Sequence, residues 1–380
     1  MSPSSDQFEQ VQHGDDVLAA ELRLCMVSGV GPRMRKTLLD RFGSAANIFK
    51  AAPSELREVD GVGPKLLRAL TAAEREIDVA KEIAYCRENQ ITLLLESAPA
   101  YPRVLKEIHD PPGVLFVRGE VRPTDAMAVA IVGTRHATAY GLAQAERLAS
   151  GLAHAGYTII SGLARGIDAA AHSAAMKASG RTLAVLGSGV MEIYPPEHEK
   201  LAQQVMENGA IISESHPLAP PLTGSFPQRN RIISGMSLGV IVVEASERSG
   251  ALITARLAME QGREVFAVPG RVDSRNSRGC HRLIRDGAKL IETVDDVLEE
   301  FGPLVAAAPR EDGREIRHPV ELQLNEPETA VLTAIGSDPT SIDEVIAATK
   351  LAVPQVLSTI SVLEMKRLIR RVSGNKVIRL

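Results

Sequence analysis

Between about residue 91 and residue 290 the chain repeats one pattern, a short apolar run followed by a stretch with helical spacing. The runs are Val114–Val117, Ala128–Val132, Thr158–Ile160, Leu183–Leu186, Ala210–Ser213, Val240–Val243 and Val265–Val268. They carry no charge and do not alternate with polar residues, the mark of strands buried on both faces. Between most of them lie Tyr140–Ala155, Ile167–Ala178, Glu197–Asn208 and Ala251–Gln261, which read as helices. Such alternation predicts an α/β domain built on a doubly wound, mostly parallel, extended Rossmann-like sheet.

The flanks differ. Residues 1–14 are polar and are expected to be a disordered tail. Residues 15–88 read as a domain of short helices with an internal echo, Gly29-Val30-Gly31-Pro32 and Gly61-Val62-Gly63-Pro64. Arg33, Arg35 and Lys36 follow the first turn, and Lys65 and Arg68 the second. This resembles a helix-hairpin-helix (SAM-like) module. Its tight turns either present helix N–H groups to a phosphate or serve packing alone. The core is then expected over 89–301, and the Gly, Pro and Ala-rich stretch 302–322 as a linker. Beyond it, Glu326–Ile335, Ser341–Thr349 and Val353–Lys366 read as helices, and Leu368–Leu380 as two strands around Ser373-Gly374-Asn375. Asp338-Pro339-Thr340-Ser341 supplies a break and an N-cap before the second helix. Three helices and a hairpin make a winged-helix layout over 323–380.

Three stretches place Gly beside Arg at strand ends, where an open parallel sheet keeps its crevice. Gly133 and Arg135 follow the run ending at Val132. Ser161, Gly162, Arg165 and Gly166 follow the next run. Phe226, Arg229, Asn230 and Arg231 join an aromatic face to two cations. Arginine forks suit phosphate, and glycine lets a backbone approach it. Ser249, Gly250 and Thr254 add small donors at a further helix start. Three such corners on one sheet edge favour a phosphate-rich ligand over a single nucleotide. Taken singly, each Arg is equally compatible with a solvated surface. In the tail, Lys366, Arg370, Arg371 and Lys376 belong to a stretch without acids. It suits a nucleic-acid backbone, an acidic partner or plain solvation.

Composition narrows the field. The net charge of −4 gives no global nucleic-acid signature, so binding must come from local patches. Aromatics are 3% with no Trp, few for extended base stacking. Cys25, Cys86 and Cys280 lie far apart without a C-x-x-C pair, so neither zinc site nor disulfide framework is expected and a reducing cytoplasm fits. No apolar leader follows Met1, and no membrane span is expected. The dinucleotide fingerprint fails, since Gly133 lacks a second Gly two residues on and Glu192 stands where Gly187-Ser188-Gly189 needs a third. Asp168 and His172 share a helix face without a third ligand, so a structural pair outweighs a metal site. Glu244, just past a strand, has no partnered nucleophile. No catalytic constellation, cofactor or metal is therefore expected.

Val132-Gly133-Thr134-Arg135, Ser161-Gly162-Leu163-Ala164-Arg165-Gly166-Ile167-Asp168, Tyr194-Pro195 and Ser213-Glu214 recur in a known order with three later motifs. These are Phe226-Pro227 with Arg229-Asn230-Arg231, Ser249-Gly250-Ala251-Leu252-Ile253-Thr254-Ala255, and Gln261 to Gly270. Together they resemble the DNA-processing protein A (DprA/Smf) family over nearly the whole chain. That resemblance implies a non-enzymatic single-stranded DNA binder of natural transformation. It would protect incoming strands, load a RecA-type recombinase and form a homodimer through its core. It also implies DNA contacts at Arg135, Phe226, Arg229 and Arg231. Gly279-Cys280-His281 departs from the family's usual Gly-Thr-Asn and puts a polar contact there in doubt. An alternative is a nucleotide-hydrolysing Rossmann enzyme similar to the cytokinin-activating phosphoribohydrolases. Against it, the helix start at Gly250 lacks their Pro-Gly-Gly run.

Overall fold

The computed structural model describes residues 5–301, 308–309, 315–316, 324–336, 339–366, 368–372 and 375–379. Its centre is a sheet of nine strands: β1 (Thr92–Leu95), β2 (Val114–Gly119), β3 (Ala128–Val132), β4 (Thr158–Ser161), β5 (Thr182–Val185), β6 (Gly209–Ser213), β7 (Gly239–Val242), β8 (Glu264–Ala267) and β9 (Lys289–Leu290). The spatial order is β1-β2-β6-β5-β4-β3-β7-β8-β9. β1 and β2 pair antiparallel, as do β2 and β6; the other pairs are parallel. The order turns at β3, with later strands laid to one side up to β6 and to the other from β7 onward. The crevice rule therefore puts a ligand beyond the carboxyl ends of β3 and β7.

Six helices precede the sheet: α1 (Ser5–Met26), α2 (Pro32–Phe42), α3 (Ala45–Lys50), α4 (Pro53–Arg57), α5 (Pro64–Glu76) and α6 (Val79–Glu88). Of the expected disordered tail over 1–14, residues 1–4 lie outside the described residues, and α1 begins at Ser5. No proline interrupts 5–26. The two Gly-x-Gly-Pro echoes do start helices. Gly29 and Gly61 take φ of 95° and 85°, and Pro32 and Pro64 open α2 and α5. Arg35 is only 7% exposed and donates to Glu21 at 2.9 Å and Glu96 at 2.7 Å, so it is a tie between these helices and the sheet.

Helices cover both sheet faces. α7 (Arg103–Lys106), α11 (Ser225–Gly235), α12 (Ala251–Glu260) and α13 (Arg278–Arg285) pack on one. α8 (Ala139–His154), α9 (Ile167–Lys177) and α14 (Val294–Phe301) pack on the other. α10 (Glu199–Asn208) closes the β5–β6 end. Most of the expected linker 302–322 lies outside the described residues, apart from an antiparallel pair, β10 (Ala308–Pro309) with β11 (Glu315–Ile316). The last module has α15 (Glu326–Thr333), β12 (Thr340–Ser341), α16 (Ile342–Thr349), α17 (Val353–Met365), β13 (Ile369–Val372) and β14 (Lys376–Arg379). Ser341 caps α16 by accepting from Asp343 N–H at 3.2 Å and Glu344 N–H at 3.4 Å. The three strands form one sheet in the order β12-β14-β13, the wing of a winged helix. Of the expected turn, Ser373 and Gly374 lie outside the described residues. Among the described residues no single helix is long and apolar enough to cross a membrane.

Asp168 and His172 sit on the buried face of α9 with separate partners. The Thr182 hydroxyl donates to Ile159 O at 2.8 Å, so His172 Nδ1, 2.6 Å away, carries the proton and donates to it. His172 Nε2 is buried with no hydrogen-bond partner among the described residues. Burial holds the imidazole down to about 3. The unfolded chain, with an ordinary histidine value near 6.5, takes up a proton that the native state refuses. Stability from this group is full above about 6.5 and is lost as pH falls toward 3. Urea unfolding near pH 5 should show about 2 kcal/mol less stability than near pH 7 from this residue. The loss should shrink by that amount in His172→Gln, and equal losses in both proteins would refute the assignment.

Candidate nucleic-acid interface

A cleft of about 300 Å³ opens where the topology places it. Its walls are the residues after β3, the first turn of α11 and the β7–α12 turn. It brings together Gly133, Arg135, Phe226 and Arg229 with Asn230, Ser249, Gly250 and Thr254. A small recess beside it joins Gly162 and Arg165 to Arg135, Phe226 and Tyr194. Ser161, Gly166 and Arg231 line neither.

Arg135 is the exposed cation of the cleft. Its guanidinium lies 5.3 Å from the Phe226 ring centroid, within cation–π range. Phe226 in turn meets Tyr194, with ring centroids 5.8 Å apart and planes tilted by 48°. A guanidinium held over a ring, beside a second ring, presents charge and flat apolar surface together. That pairing suits a phosphate and its base. Arg165 is exposed too and is ion-paired to Glu197. Tyr194, which the sequence motifs alone do not place in the site, is the main residue the structure adds. Its one sequence signal was its place in the Tyr194-Pro195 motif.

Arg229 is 7% exposed. Its Nη1 donates to Gly162 O at 2.8 Å and also to Val185 O, tying the ends of β4 and β5 together. Burial pulls the guanidinium down to about 10, opposed by nearby Asp168, so it stays charged at neutral pH. Asp168 Oδ2 accepts N–H bonds from Gly162 at 3.1 Å and Ala164 at 3.3 Å. Arg229 and Asp168 thus build the floor of the cleft from beneath.

Arg231 is corrected outright as a DNA contact. It is 5% exposed and faces away, donating to Asp110 O at 2.6 Å and pairing with Glu214. Ser161 is also corrected, since its buried hydroxyl donates to Ile131 O at 2.6 Å. The glycines answer to packing. A Cβ on Gly133 would lie 2.5 Å from Ile167, and one on Gly162 2.2 Å from Arg229 Nη1. Gly166 combines a φ of 74° with a Cβ position 2.4 Å from Thr134 O, so any side chain there meets backbone. Gly250 alone among the four has open space.

At the start of α12, Ser249 Oγ accepts from Ala251 N–H at 3.3 Å, and Leu252 and Ile253 donate to Ser249 O and Gly250 O. Local bonds thus take up part of the donor set that an isolated helix start would offer. Thr254 lies beneath, 2% exposed, and Asn230 Nδ2 reaches Gly250 O at 3.5 Å. Glu244 is 3% exposed and accepts both the Thr138 N–H at 2.9 Å and its hydroxyl at 2.6 Å. The carboxylate anchors the start of α8 and does not line the cleft.

Residues 92–302 match the family described as DNA recombination-mediator protein A. The chain belongs to this DprA/Smf family. Residues 316–375 match the DprA winged helix domain, and 21–76 a SAM-like helix-hairpin-helix tandem. Protein Smf of Synechocystis is 34% identical over 92% of this chain and 95% of its own length. The DNA processing protein DprA of Streptococcus pneumoniae is 45% identical over 53% of this chain and 71% of its own. The X-ray structure of DNA processing protein A from that organism matches with a TM-score of 0.65 at 35% identity, covering 74% of this chain and 97% of that one. The Helicobacter pylori protein, described for its single-stranded DNA binding mode, matches with a TM-score of 0.51 at 31% identity, covering 56% of this chain and 95% of that one.

This DprA/Smf member also carries the basic wing, where the cations divide. Lys366 is held by Glu328 at 2.8 Å and Arg371 by Glu364 at 3.2 Å. Arg370 and Lys376 are exposed on β13 and β14. The outward face of α17 presents Val353 and Leu357, 49% and 42% exposed. Among the described residues of α17 none is cationic.

Proposed function

We propose that this protein binds single-stranded DNA without cutting it, protects strands entering by natural transformation and hands them to a RecA-type recombinase. The observation that carries the DNA reading is Arg135, exposed over Phe226 in a cleft at the turn of the strand order. The binding mode described for the Helicobacter pylori relative supports the same ligand. Transformation, the recombinase and a homodimer through the core enter through family membership. The division into a helical module over 15–88, a DNA-binding core over 89–301 and a winged-helix module over 323–380 is part of the proposal. So is a DNA-binding role for Gly133, Arg135, Gly162, Arg165, Phe226, Asn230, Ser249, Gly250 and Thr254, with Arg229 as support. Engagement of Glu244 by Thr138 speaks against the nucleotide-hydrolase alternative.

The test is a competition of single-stranded against duplex DNA at two salt concentrations. Single strands should win, and the slope of log affinity on log salt should be about −0.7 per phosphate contact. Equal competition by duplex, or a flat salt response, would refute the proposal.

A further inference from the structure

The recess beside the cleft has two exposed arginines on its rim, and their charges are handled differently. Arg135 rests against Phe226 and has no ion pair among the described residues. Arg165 is already matched: its Nε donates to Glu197 Oε1, with the side chains 44% and 51% exposed. That bond holds the Glu197 carboxyl below the usual carboxylate range, so it is ionised at neutral pH. We infer that Glu197 sets the specificity of the site by standing in for a DNA phosphate: it withholds Arg165, and a ligand that brings a second phosphate into the recess releases it. The inference rests on the single-strand reading of the cleft and gives a role to an acid that lines neither cavity.

The pair is built by the fold. Arg165 lies in the turn between β4 and α9, and Glu197 in the turn Pro196–His198 that leads into α10. His198 Nδ1 donates to Leu163 O at 2.8 Å, which fastens the acid's turn to the cation's. Tyr194 and Pro195 line the recess just ahead of that turn, and the Tyr194 ring meets Phe226. A strand lying along these rings from Arg135 thus arrives at Arg165. Among the described residues lining the two cavities, Asp168 is the only acid, and it is buried and engaged by the Gly162 and Ala164 N–H groups. Glu197 is therefore the acid against which a phosphate must compete. Half-exposed pairs of this kind are weak, and a phosphate matches the guanidinium as well as a carboxylate does, so the exchange is close to balance. Tethering tips it. A carboxylate on a short turn is present at an effective concentration on the order of millimolar, enough to hold off sparse single anions. A strand already seated at Arg135 brings its next phosphate on the same intramolecular terms.

The test uses the full chain and a labelled oligothymidylate of about 20 nucleotides, read by fluorescence anisotropy. The variants are E197Q, R165A and R165A/E197Q, with thermal unfolding to check each fold and E197A as a second neutral variant. Expected for E197Q is binding about three- to fivefold tighter than the parent. Its salt slope should steepen by as much as about 0.7, the value of one further phosphate contact. In the R165A background the same substitution should leave affinity within about twofold, because no cation remains to be released. Unchanged or weakened binding by E197Q and E197A would make Glu197 a brace for Arg165 and overturn the inference. Tightening of equal size with and without Arg165 would reduce it to a general charge effect and also overturn it. R135A bears on the cleft itself: parent-like affinity in R135A fails the single-strand reading there, whereas a weakened R135A beside an unaltered E197Q fails the role of Glu197 alone.

Discussion

Arg135→Ala is expected to weaken single-strand binding by about 10- to 100-fold, the value of a charge-assisted contact of roughly 1.5–3 kcal/mol. Phe226→Ala should cost about 1–3 kcal/mol, the usual range for a base–aromatic stack. The two losses should not add, because the guanidinium rests on the ring at 5.3 Å and each orients the other. Anisotropy titrations of both single variants and the double variant at one salt concentration measure the coupling, expected at about 0.5–2 kcal/mol. Phe226 also touches Tyr194 and lies against Gly187, so thermal unfolding must accompany its titration. An Arg135→Ala protein that binds within about twofold of the parent removes the central contact of the proposed site.

Arg231→Ala is expected to act on the fold rather than on DNA. Removing one partner of a buried ion pair costs about 3–5 kcal/mol. Asp110 and Glu214 keep 21% and 28% side-chain exposure, which points to the low end, about 3 kcal/mol. For a core of this size that lowers Tm by roughly 6–12 °C. Arg231→Met combined with Asp110→Asn and Glu214→Gln should recover much of the loss, since no charge is then stranded. At a temperature where Arg231→Ala is folded, its DNA affinity should match the parent. A stable but binding-deficient variant would return Arg231 to the ligand surface.

Most of the sheet was legible because burial on both faces leaves uninterrupted apolar runs. β3, for example, is found over the residues its run marks. β9 was missed because two exposed residues, Lys289 and Leu290, carry no such signature. β1 hid in a short run, Thr92–Leu95, at an antiparallel edge. β12 is again only two residues and is defined by its partner β14. In the cleft, sequence could place Arg135, Arg229 and Arg231 near strand ends or on one helix, but not say which way each points. Arg229 and Arg231 flank Asn230 on α11, and a buried guanidinium looks in sequence like an exposed one. The missing knowledge was the position of the acceptors: Gly162 O and Val185 O at the ends of β4 and β5 for Arg229, and for Arg231 Glu214 just past β6 and Asp110 in the loop between α7 and β2. That Gly133, Gly162 and Gly166 also serve packing was hidden for the same reason. Their neighbours are Ile167, Thr134 and Arg229, and none of these contacts is local enough to show as a motif.

The anchoring of Arg229 to two strand-end carbonyls has a kinetic corollary. A trough already rigid before its guest arrives has no segment to fold at the moment of encounter, and the entropic toll of ordering is avoided. Capture should then proceed at an orientation-limited rate that changes little among variants along the trough. Differences in grip should surface in how long the guest stays.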